Sequence, residues 1–132
     1  MELKQELQAI IQGEVGDSEG LLGEYSKDAS LFEVKPRLVV FSKDTEDVKR
    51  LVKFVKDHPE ENLSLTCRSG GTDMTGGPLT QSIVVDMARH FNRILEINKD
   101  TVRVQPGVWY RDFEKEIAKF VGCKYSVAVT SC

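Results

Sequence analysis

The residues best suited to chemistry form one glycine-dense stretch, residues 67–77, which holds four of the ten glycines. Glycine has no Cβ, so its backbone takes positive φ angles and approaches other groups closely. Successive N–H groups in such turns form a concave anion site that suits a phosphate or pyrophosphate. Hydroxyl donors are present at Ser69, Thr72 and Thr75. Arg68 either adds positive charge to such a site or pairs with a carboxylate. The stretch as a whole predicts an anion-binding loop.

This glycine loop matches neither of two common phosphate-binding motifs. A Walker loop ends in Lys-Ser or Lys-Thr, and neither pair follows the glycines here. A Rossmann turn has the spacing G-x-G-x-x-G and opens a helix, and the segment after the loop has no helical pattern. On chemistry alone, a tight loop without a ligand is an equally good interpretation.

The other reactive side chains form no constellation. Cys67, Cys123 and Cys132 include no C-x-x-C pair, and only His58 and His90 accompany them. We therefore expect no metal site, and we expect reduced thiols. Cys67 is expected to be a buried residue at a strand end. Both histidines are expected at surface or capping positions.

The composition predicts one ordinary domain with a core: 132 residues, 40% hydrophobic and 30% charged. A net charge of −3 argues against nucleic acid as a general partner. No apolar run approaches the roughly 18 residues of a membrane span. The N-terminus lacks the pattern of a signal peptide, which predicts a cytoplasmic location.

Ahead of the glycine loop, hydrophobic periodicity predicts a helix, a strand, a second helix and a second strand. The first helix covers residues 3–11, and a loop punctuated by glycines follows over residues 13–23. The strands are residues 38–41 and 63–66. Between them a helix starts after Asp44 or Thr45 and stops at His58-Pro59. The predicted buried stripe of this helix is Val48, Leu51, Val52 and Val55.

Behind the loop, residues 83–86 form a third predicted strand. Residues 94–97 and 101–105 flank a turn and predict a hairpin. A helix from Trp109 follows and ends at Gly122. Residues 125–129 alternate as a last strand. Strand, helix and strand followed by a hairpin predict an α+β or mixed α/β domain.

Five motifs follow one another over residues 25–116. They are Tyr25 to Ser30, Pro36 to Val48, Arg68 to Gly77, Ile83 to Asp86 and Val102 to Val108. Each is weak alone, but in this order they resemble the FAD-binding domain of the vanillyl-alcohol oxidase/PCMH flavoprotein superfamily, in particular its D-lactate dehydrogenase and glycolate oxidase group. The resemblance implies the N-terminal subdomain of the PCMH-type fold, a small mixed sheet with flanking helices.

The resemblance also implies a cofactor site, because the family's loop wraps the FAD pyrophosphate. Some relatives attach the flavin through a histidine at the position of Thr72. A threonine has no imidazole, so the resemblance implies non-covalent FAD. The implied FAD-binding residues are Arg68, Ser69, Gly70, Gly71, Thr72, Asp73, Thr75 and Gly76.

The implied function is that of an FAD-binding oxidoreductase fragment that resembles enzymes of small 2-hydroxy acids. The family's second flavin-binding segment and catalytic base do not follow Glu116, so no catalytic residue is assigned and the chain is expected to be inactive alone. The expected divisions are residues 1–24, an N-terminal helix and loop; residues 25–116, a partial FAD-binding domain; and residues 117–132, an atypical tail.

The C-terminal residues 113–132 resemble the early segment of DegT-type sugar aminotransferases, although no Schiff-base lysine motif is present. We favour a truncation or fusion over an ordinary helix and strand. Two other functions therefore stay open beside the flavoprotein fragment. One is a non-catalytic phosphate- or nucleotide-binding module, and the other is a fragment of a pyridoxal-phosphate-dependent aminotransferase.

Overall fold

The computed structural model describes residues 2–129, and this part of the chain contains four α-helices, six strands and one 3-10 turn. The helices are α1 (Leu3–Ile10), α2 (Glu19–Tyr25), α3 (Thr45–Asp57) and α4 (Tyr110–Val121), and the 3-10 turn Pro59–Glu61 follows α3. The strands are β1 (Glu14–Gly16), β2 (Leu38–Phe41), β3 (Leu65–Arg68), β4 (Ile83–Asp86), β5 (Ile94–Ile97) and β6 (Val102–Val104).

A four-stranded sheet in the order β1-β2-β4-β3 forms the centre of the fold. Strands β2, β4 and β3 run parallel, and β1 pairs antiparallel with β2 at one edge. Val85 of β4 lies opposite Val40 of β2 and Cys67 of β3. Every residue of β2 and β4 is buried. Central parallel strands covered on both faces read as continuous apolar runs, which is why the sequence marked both strands.

Alternate residues of β2 enter two hydrophobic clusters, because successive side chains of a strand point to opposite faces. Val40 packs with Leu7 of α1 and Leu51 of α3 on one face. Val39 packs with Leu22 of α2 on the other. Fully burying one such aliphatic side chain contributes roughly 2 kcal/mol, so both helix layers fix the sheet.

Asp47 joins the end of α1 to the start of α3. Its side chain is fully buried, and its carboxylate accepts backbone N–H groups of Gln12 and Gly13, both at 2.8 Å, and of Lys43 at 3.0 Å. The Arg50 guanidinium donates to the same carboxylate at 3.1 Å. Burial raises the pKa of Asp47, but these donors outweigh it and hold the pKa below its usual value.

A two-stranded hairpin, β5 with β6, follows the sheet and leads into α4. Ile97 pairs with Val102, and the turn closes where Asn98 donates to the Thr101 carbonyl at 2.8 Å. Beyond the hairpin, the N–H of Gly107 donates to the Phe91 carbonyl at 2.7 Å. These bonds hold the beginning of α4 close to the residues that follow β4.

The structure confirms the predicted small mixed sheet with flanking helices and corrects several details. The segment 13–23, predicted as a loop, contains β1 and most of α2, because Val15 and Leu22 are buried against the two faces of the sheet. The glycines of this segment predicted a loop, so its two buried apolar residues were not recognised from the sequence. The strand predicted at 63–66 lies at Leu65–Arg68.

The caps of two predicted helices are as expected, whereas the predicted buried stripe of α3 is wrong at one position. Asp44 caps α3 by accepting the Asp47 N–H at 3.0 Å, and Gly122 ends α4 with a φ of 76°. Val52, placed in the buried stripe of α3, is 55% exposed, whereas Phe54 packs against the core. The sheet lies against a narrower face of this helix than the apolar pattern suggested.

The last predicted strand is wrong over its described residues. Residues 125–129 adopt no strand, and the side chains of Tyr125, Val127 and Val129 are exposed. This tail lies along α4, where the Ala128 N–H donates to the Glu114 carboxylate at 2.9 Å. Residues 130–132, including Cys132, lie outside the described part of the chain. No described helix has the length and apolar character to cross a membrane.

Candidate functional site

The glycine loop begins at the carboxyl end of β3, beside the carboxyl end of β4. Arg68 and Asp86, the last residues of these strands, are register partners, and Met87 donates its N–H to the Arg68 carbonyl at 2.8 Å. Ligands of open α/β sheets bind outside the carboxyl ends of parallel strands. The topology therefore places the loop at the edge where a ligand is expected.

Two glycines of the loop adopt backbone conformations that favour glycine. Gly71 has a φ of +64° and Gly76 a φ of +85°. A Cβ at Gly71 would lie 2.8 Å from the central guanidinium carbon of Arg68. The loop's path therefore depends on glycine at this position for two reasons, the positive φ and the close approach of a side chain.

Asp73 organises the second half of the loop. Its carboxylate accepts the N–H of Thr75 at 2.6 Å, the hydroxyl of Thr75 at 2.7 Å and the N–H of Gly77 at 3.2 Å. The Thr75 hydroxyl and these N–H groups lower the pKa of Asp73. Because these donors already face an anion within the chain, the first half of the loop is the part whose donors are free for a ligand.

A cleft of about 690 Å³ separates this first half of the loop from the start of α4. Ser69, Gly70 and Thr72 line one wall. A Cβ at Gly70 would lie 3.6 Å from the indole of Trp109, so a larger residue would narrow the cleft. The opposite wall consists of Pro106, Val108, Trp109, Tyr110, Arg111, Asp112 and Lys115.

Sequence reasoning missed the wall that α4 contributes. Trp109, where the predicted helix began, is the residue that precedes α4, and its side chain is 56% exposed. Arg111 and Lys115 are four residues apart and so share one face of the helix, a spacing that was available as a signal. Two cations and an indole opposite hydroxyl and N–H donors suit a ligand that carries both an anion and a ring.

Six of the eight predicted FAD-binding residues line a cleft or a concavity, three of them line both, and two line neither. Ser69, Gly70 and Thr72 line the large cleft. A shallower concavity of about 310 Å³ is lined by all residues from Cys67 to Asp73, with Gly77 and Pro78. Thr75 and Gly76 line neither space: Thr75 bonds Asp73, and a Cβ at Gly76 would lie 3.0 Å from the Phe32 ring.

Arg68 contacts neither a carboxylate nor the wall of the large cleft. Its guanidinium donates to the Tyr25 carbonyl at 3.2 Å and lies 5.0 Å from the centre of the Tyr25 ring. The Tyr25 hydroxyl donates to the buried carboxylate of Asp86 at 2.8 Å. Burial, together with this hydrogen bond, raises the pKa of Tyr25 well above its usual value.

Two predictions about isolated side chains have different outcomes. Cys67, predicted to be buried, is exposed, because β3 is an edge strand of the sheet and leaves this side chain uncovered. His58 is the C-terminal cap of α3, as predicted. Its Nδ1 lies 2.8 Å from the Phe54 carbonyl and its ring stacks on Phe54.

A small, mostly parallel sheet with a glycine loop at its strand ends is the architecture of a nucleotide-cofactor domain. The family model described as an FAD binding domain matches residues 36–130. The chain therefore belongs to this family, whose cofactor is FAD, and the resemblance to the vanillyl-alcohol oxidase/PCMH superfamily is confirmed.

Solved structures share this fold. p-Cresol methylhydroxylase superposes on 96% of the chain with a TM-score of 0.74 at 18% identity, which shows the fold alone. 4-Ethylphenol oxidase from Gulosibacter chungangensis covers 92% of the chain with a TM-score of 0.73 and 26% identity. 6-Hydroxy-D-nicotine oxidase from Arthrobacter nicotinovorans covers 83% with a TM-score of 0.65 and 31% identity. The chain spans about a quarter of each, namely 26%, 24% and 24%.

Sequence relatives include dehydrogenases of 2-hydroxy acids. D-2-hydroxyglutarate dehydrogenase of Escherichia coli K12 is 42% identical over 85 residues, which are 63% of this chain and 8% of that enzyme. Mitochondrial D-lactate dehydrogenase (cytochrome) of Kluyveromyces lactis is 29% identical over 87 residues, which are 61% of this chain and 15% of that enzyme. The chain thus spans a small part of the curated relatives it matches.

Several expectations stay predictions. They include the FAD contacts of the predicted loop residues, the non-covalent mode of binding, the inactivity of the chain alone and the cytoplasmic location. The division into residues 1–24, 25–116 and 117–132 and the DegT-type resemblance of residues 113–132 also stay predictions. Within the described residues, β1 of the first division pairs with β2 of the second, and α4 crosses the boundary at Glu116.

Proposed function

We propose that this chain forms the pyrophosphate-binding part of a non-covalent FAD site, in an oxidoreductase that acts on a small 2-hydroxy acid. The observation that carries the proposal is the large cleft, which Ser69 and Thr72 of the loop line together with Arg111 and Lys115 of α4. The names of the sequence relatives, D-2-hydroxyglutarate and D-lactate dehydrogenases, support the substrate class.

The residues present fit the diphosphate of FAD. The hydroxyls of Ser69 and Thr72 and the backbone around Gly70 supply donors, and the absence of a Cβ at Gly70 leaves room beside Trp109. Arg111 and Lys115 bring positive charge to the phosphates, and Asp112, which pairs with Lys115 at 3.4 Å, offsets part of it. The exposed indole of Trp109 offers a face on which an aromatic ring of the cofactor stacks.

FAD, when bound, supplies the acceptor for the hydride that leaves the substrate. The residues of this chain bind and orient the cofactor, and none of them is assigned to the removal of the substrate's hydroxyl proton. We therefore propose that the chain alone does not turn over 2-hydroxy acids. The cleft offers contacts to the diphosphate and to one ring, and these contacts alone predict weak FAD binding, because binding must offset the lost freedom of the ligand.

The proposal of a non-covalent flavin depends on the side chains around the cleft. The residues that line it include neither a histidine nor a cysteine, and Thr72 stands where covalent relatives have their histidine. Acid precipitation after incubation with FAD is expected to leave all flavin in the supernatant. A yellow pellet would contradict the proposal.

Calorimetry with FAD, ADP and inorganic phosphate tests the proposal. We expect FAD to bind more tightly than ADP. The double variant Ser69→Ala/Thr72→Val should weaken FAD binding about a hundredfold, since each of the two lost hydrogen bonds to a charged group costs roughly 1.5 kcal/mol. Thr101→Val, in the exposed hairpin turn, is the matched control. Stoichiometric flavin together with dye reduction by D-lactate or D-2-hydroxyglutarate would overturn the proposed inactivity.

A non-catalytic nucleotide-binding module is the second candidate. The observation in its favour is that the cleft gathers phosphate-binding groups around residues with no assigned catalytic part. Such a module would recognise the phosphate and adenosine portions shared by both ligands. ADP binding as tight as FAD binding would therefore favour the module over the flavoprotein.

A further inference from the structure

The segment that leads into the domain, residues 25–33 (the lead-in segment), runs against the glycine loop. Tyr25 accepts from the Arg68 guanidinium through its carbonyl, at 3.2 Å. Ala29 donates its N–H to the carbonyl of Asp73 at 3.1 Å. These two contacts reach the first and the middle residues of the loop from the same strip of chain.

A third contact reaches the end of the loop. The Phe32 ring lies against Gly76, whose Cβ, if present, would be 3.0 Å from the ring. Gly76 has a φ of +85°, so the backbone turns here at the place where the aromatic ring covers it. The lead-in segment therefore contacts the loop at its beginning, its middle and its end. All of it lies upstream of residues 36–130, the part of the chain that the family model matches.

The lead-in segment is itself held in place. Ser26 is 1% exposed, its hydroxyl donates to the Gly23 carbonyl at 2.8 Å, and its own carbonyl accepts the Val34 N–H at 2.9 Å. Lys27 and Glu33 form an isolated antiparallel bridge. The segment thus folds back on itself and presents a fixed surface to the loop.

Arg68 links this fixed surface to the most constrained glycine. Its guanidinium carbon lies 5.0 Å from the Tyr25 ring centre and 2.8 Å from the position of a Cβ on Gly71. The Tyr25 hydroxyl is anchored to Asp86, a 4% exposed carboxylate at the end of β4. Contacts therefore run from the end of β4 through the ring and the guanidinium to the loop backbone.

We propose that the lead-in segment is a clamp that fixes the glycine loop, and that Arg68 is a positioning residue of this clamp rather than a phosphate ligand. The relevance of the clamp to the cofactor rests on the proposed FAD function. The contacts that form the clamp join residues of the chain itself and do not depend on a ligand. The charge that faces the anion then comes from Arg111 and Lys115 on the other wall of the cleft.

Replacing Arg68 by lysine distinguishes a positioning role of this residue from a role as a phosphate ligand. A planar guanidinium stacks on a ring and fills the space beside Gly71, whereas an ammonium supplies only a point charge on a flexible stem. A phosphate ligand would tolerate lysine, because the positive charge is kept. A positioning residue would not, because its shape is lost.

The first experiment measures backbone ¹⁵N order parameters of the loop in Arg68→Lys, without ligand. We expect the values at Gly70 and Gly71 to fall from about 0.85, typical of rigid backbone, to below about 0.6. Arg103→Lys, an exposed arginine on β6, is the control and should leave the loop unchanged. Unchanged order parameters in Arg68→Lys would overturn the clamp.

The second experiment compares FAD affinity in Arg68→Lys and Arg68→Met. We expect both variants to weaken binding by the same factor, about tenfold. Full affinity in Arg68→Lys with a loss in Arg68→Met would show a role through charge and overturn the proposal. If the unaltered chain binds no FAD, the proposed function fails, whereas the order parameters still decide the clamp.

Variants of Tyr25 give an independent check of the same contact. Tyr25→Phe keeps the ring under Arg68 and should keep most of the loop order, and Tyr25→Ala removes the ring and should lose it. Tyr125→Phe, at an exposed tyrosine of the tail, is the control. Equal loop order in Tyr25→Ala and the unaltered chain would contradict the clamp, and a thermal melt of each variant shows that the chain stays folded.

Discussion

Two turn regions of this molecule are organised by an aspartate, and they differ in what surrounds it. In the junction between α1 and α3, Asp47 accepts three backbone N–H groups and is fully buried. In the glycine loop, Asp73 accepts two backbone N–H groups and a hydroxyl and is exposed. Both carboxylates have a lowered pKa.

The difference teaches that one hydrogen-bond pattern serves two purposes. When a buried acceptor is removed, its donors lose their only partner, and the fold bears the full desolvation cost. When an exposed acceptor is removed, water replaces it. The junction therefore contributes to global stability, and the loop keeps a local shape that a ligand can use.

Asp47→Asn should have the largest effect. The amide cannot accept all the donors that meet the carboxylate, so we expect a loss of about 3 kcal/mol in the free energy of unfolding, measured by urea titration. Asp57→Asn, at the exposed end of α3, should change it by less than about 0.5 kcal/mol. Equal effects of the two substitutions would show that the hydrogen bonds of Asp47 do not stabilise the junction.

Glycine replacements sharpen the comparison. A Cβ at Gly13, in the junction, would strike the Phe41 carbonyl, a backbone atom that cannot move aside. Gly13→Ala should cost about 2 kcal/mol through overpacking. Gly71→Ala, in the loop, meets the flexible Arg68 side chain and should cost about 1 kcal/mol, mainly from its positive φ. Thermal melts of both variants test this order.

The pH dependence of the free energy of unfolding measures the contribution of Asp47 in the junction. Because the folded pKa of Asp47 lies below its unfolded value of about 3.9, the unfolded chain binds more protons as the pH falls through this range. The stability from Asp47 is thus present above about pH 4 and is lost as the pH falls through the folded pKa. Urea titrations from pH 7 to pH 3 should show a smaller acid loss in Asp47→Asn. An identical acid loss would assign it to other groups.

Asp73→Asn should have the smallest effect on folding and a selective effect on the loop. We expect an unchanged melting temperature and lower order parameters at Thr75 and Gly77, whose N–H groups lose a charged acceptor. Asp100→Asn, in the exposed hairpin turn, is the control. A large fall in melting temperature would show that Asp73, like Asp47, supports the whole fold.

Much of the fold was predictable because its signals are local. The runs 38–41 and 83–86 are buried on both faces, so each strand reads as apolar without reference to the rest of the chain. Asp44 caps the beginning of α3, and Gly122 caps the end of α4, each through a preference of its own residue type. By contrast, β1 and α2 were missed because their few apolar residues acquire meaning only against the sheet.

The site was predictable in part for the same reason. A run of glycines and hydroxyl residues marks an anion-binding loop in any context, and the order of motifs pointed to FAD. The opposite wall, with Trp109 and Arg111, is distant in sequence and meets the loop only when the hairpin folds back. The role of Asp47 as a buried acceptor could not be predicted, because the N–H groups that it binds come from two other segments.

The sequence by itself determined the mixed α/β elements, since glycine placement and apolar runs constrain the backbone locally, and the order of its motifs indicated the class of the protein by resemblance. Tertiary structure alone decided which way the charged side chains face. Arg68 has the right type and position for a phosphate ligand, yet it lies on the Tyr25 ring and against Gly71. The physical reason is that a long side chain takes its direction from its neighbours in space, and those neighbours come from the lead-in segment and β4.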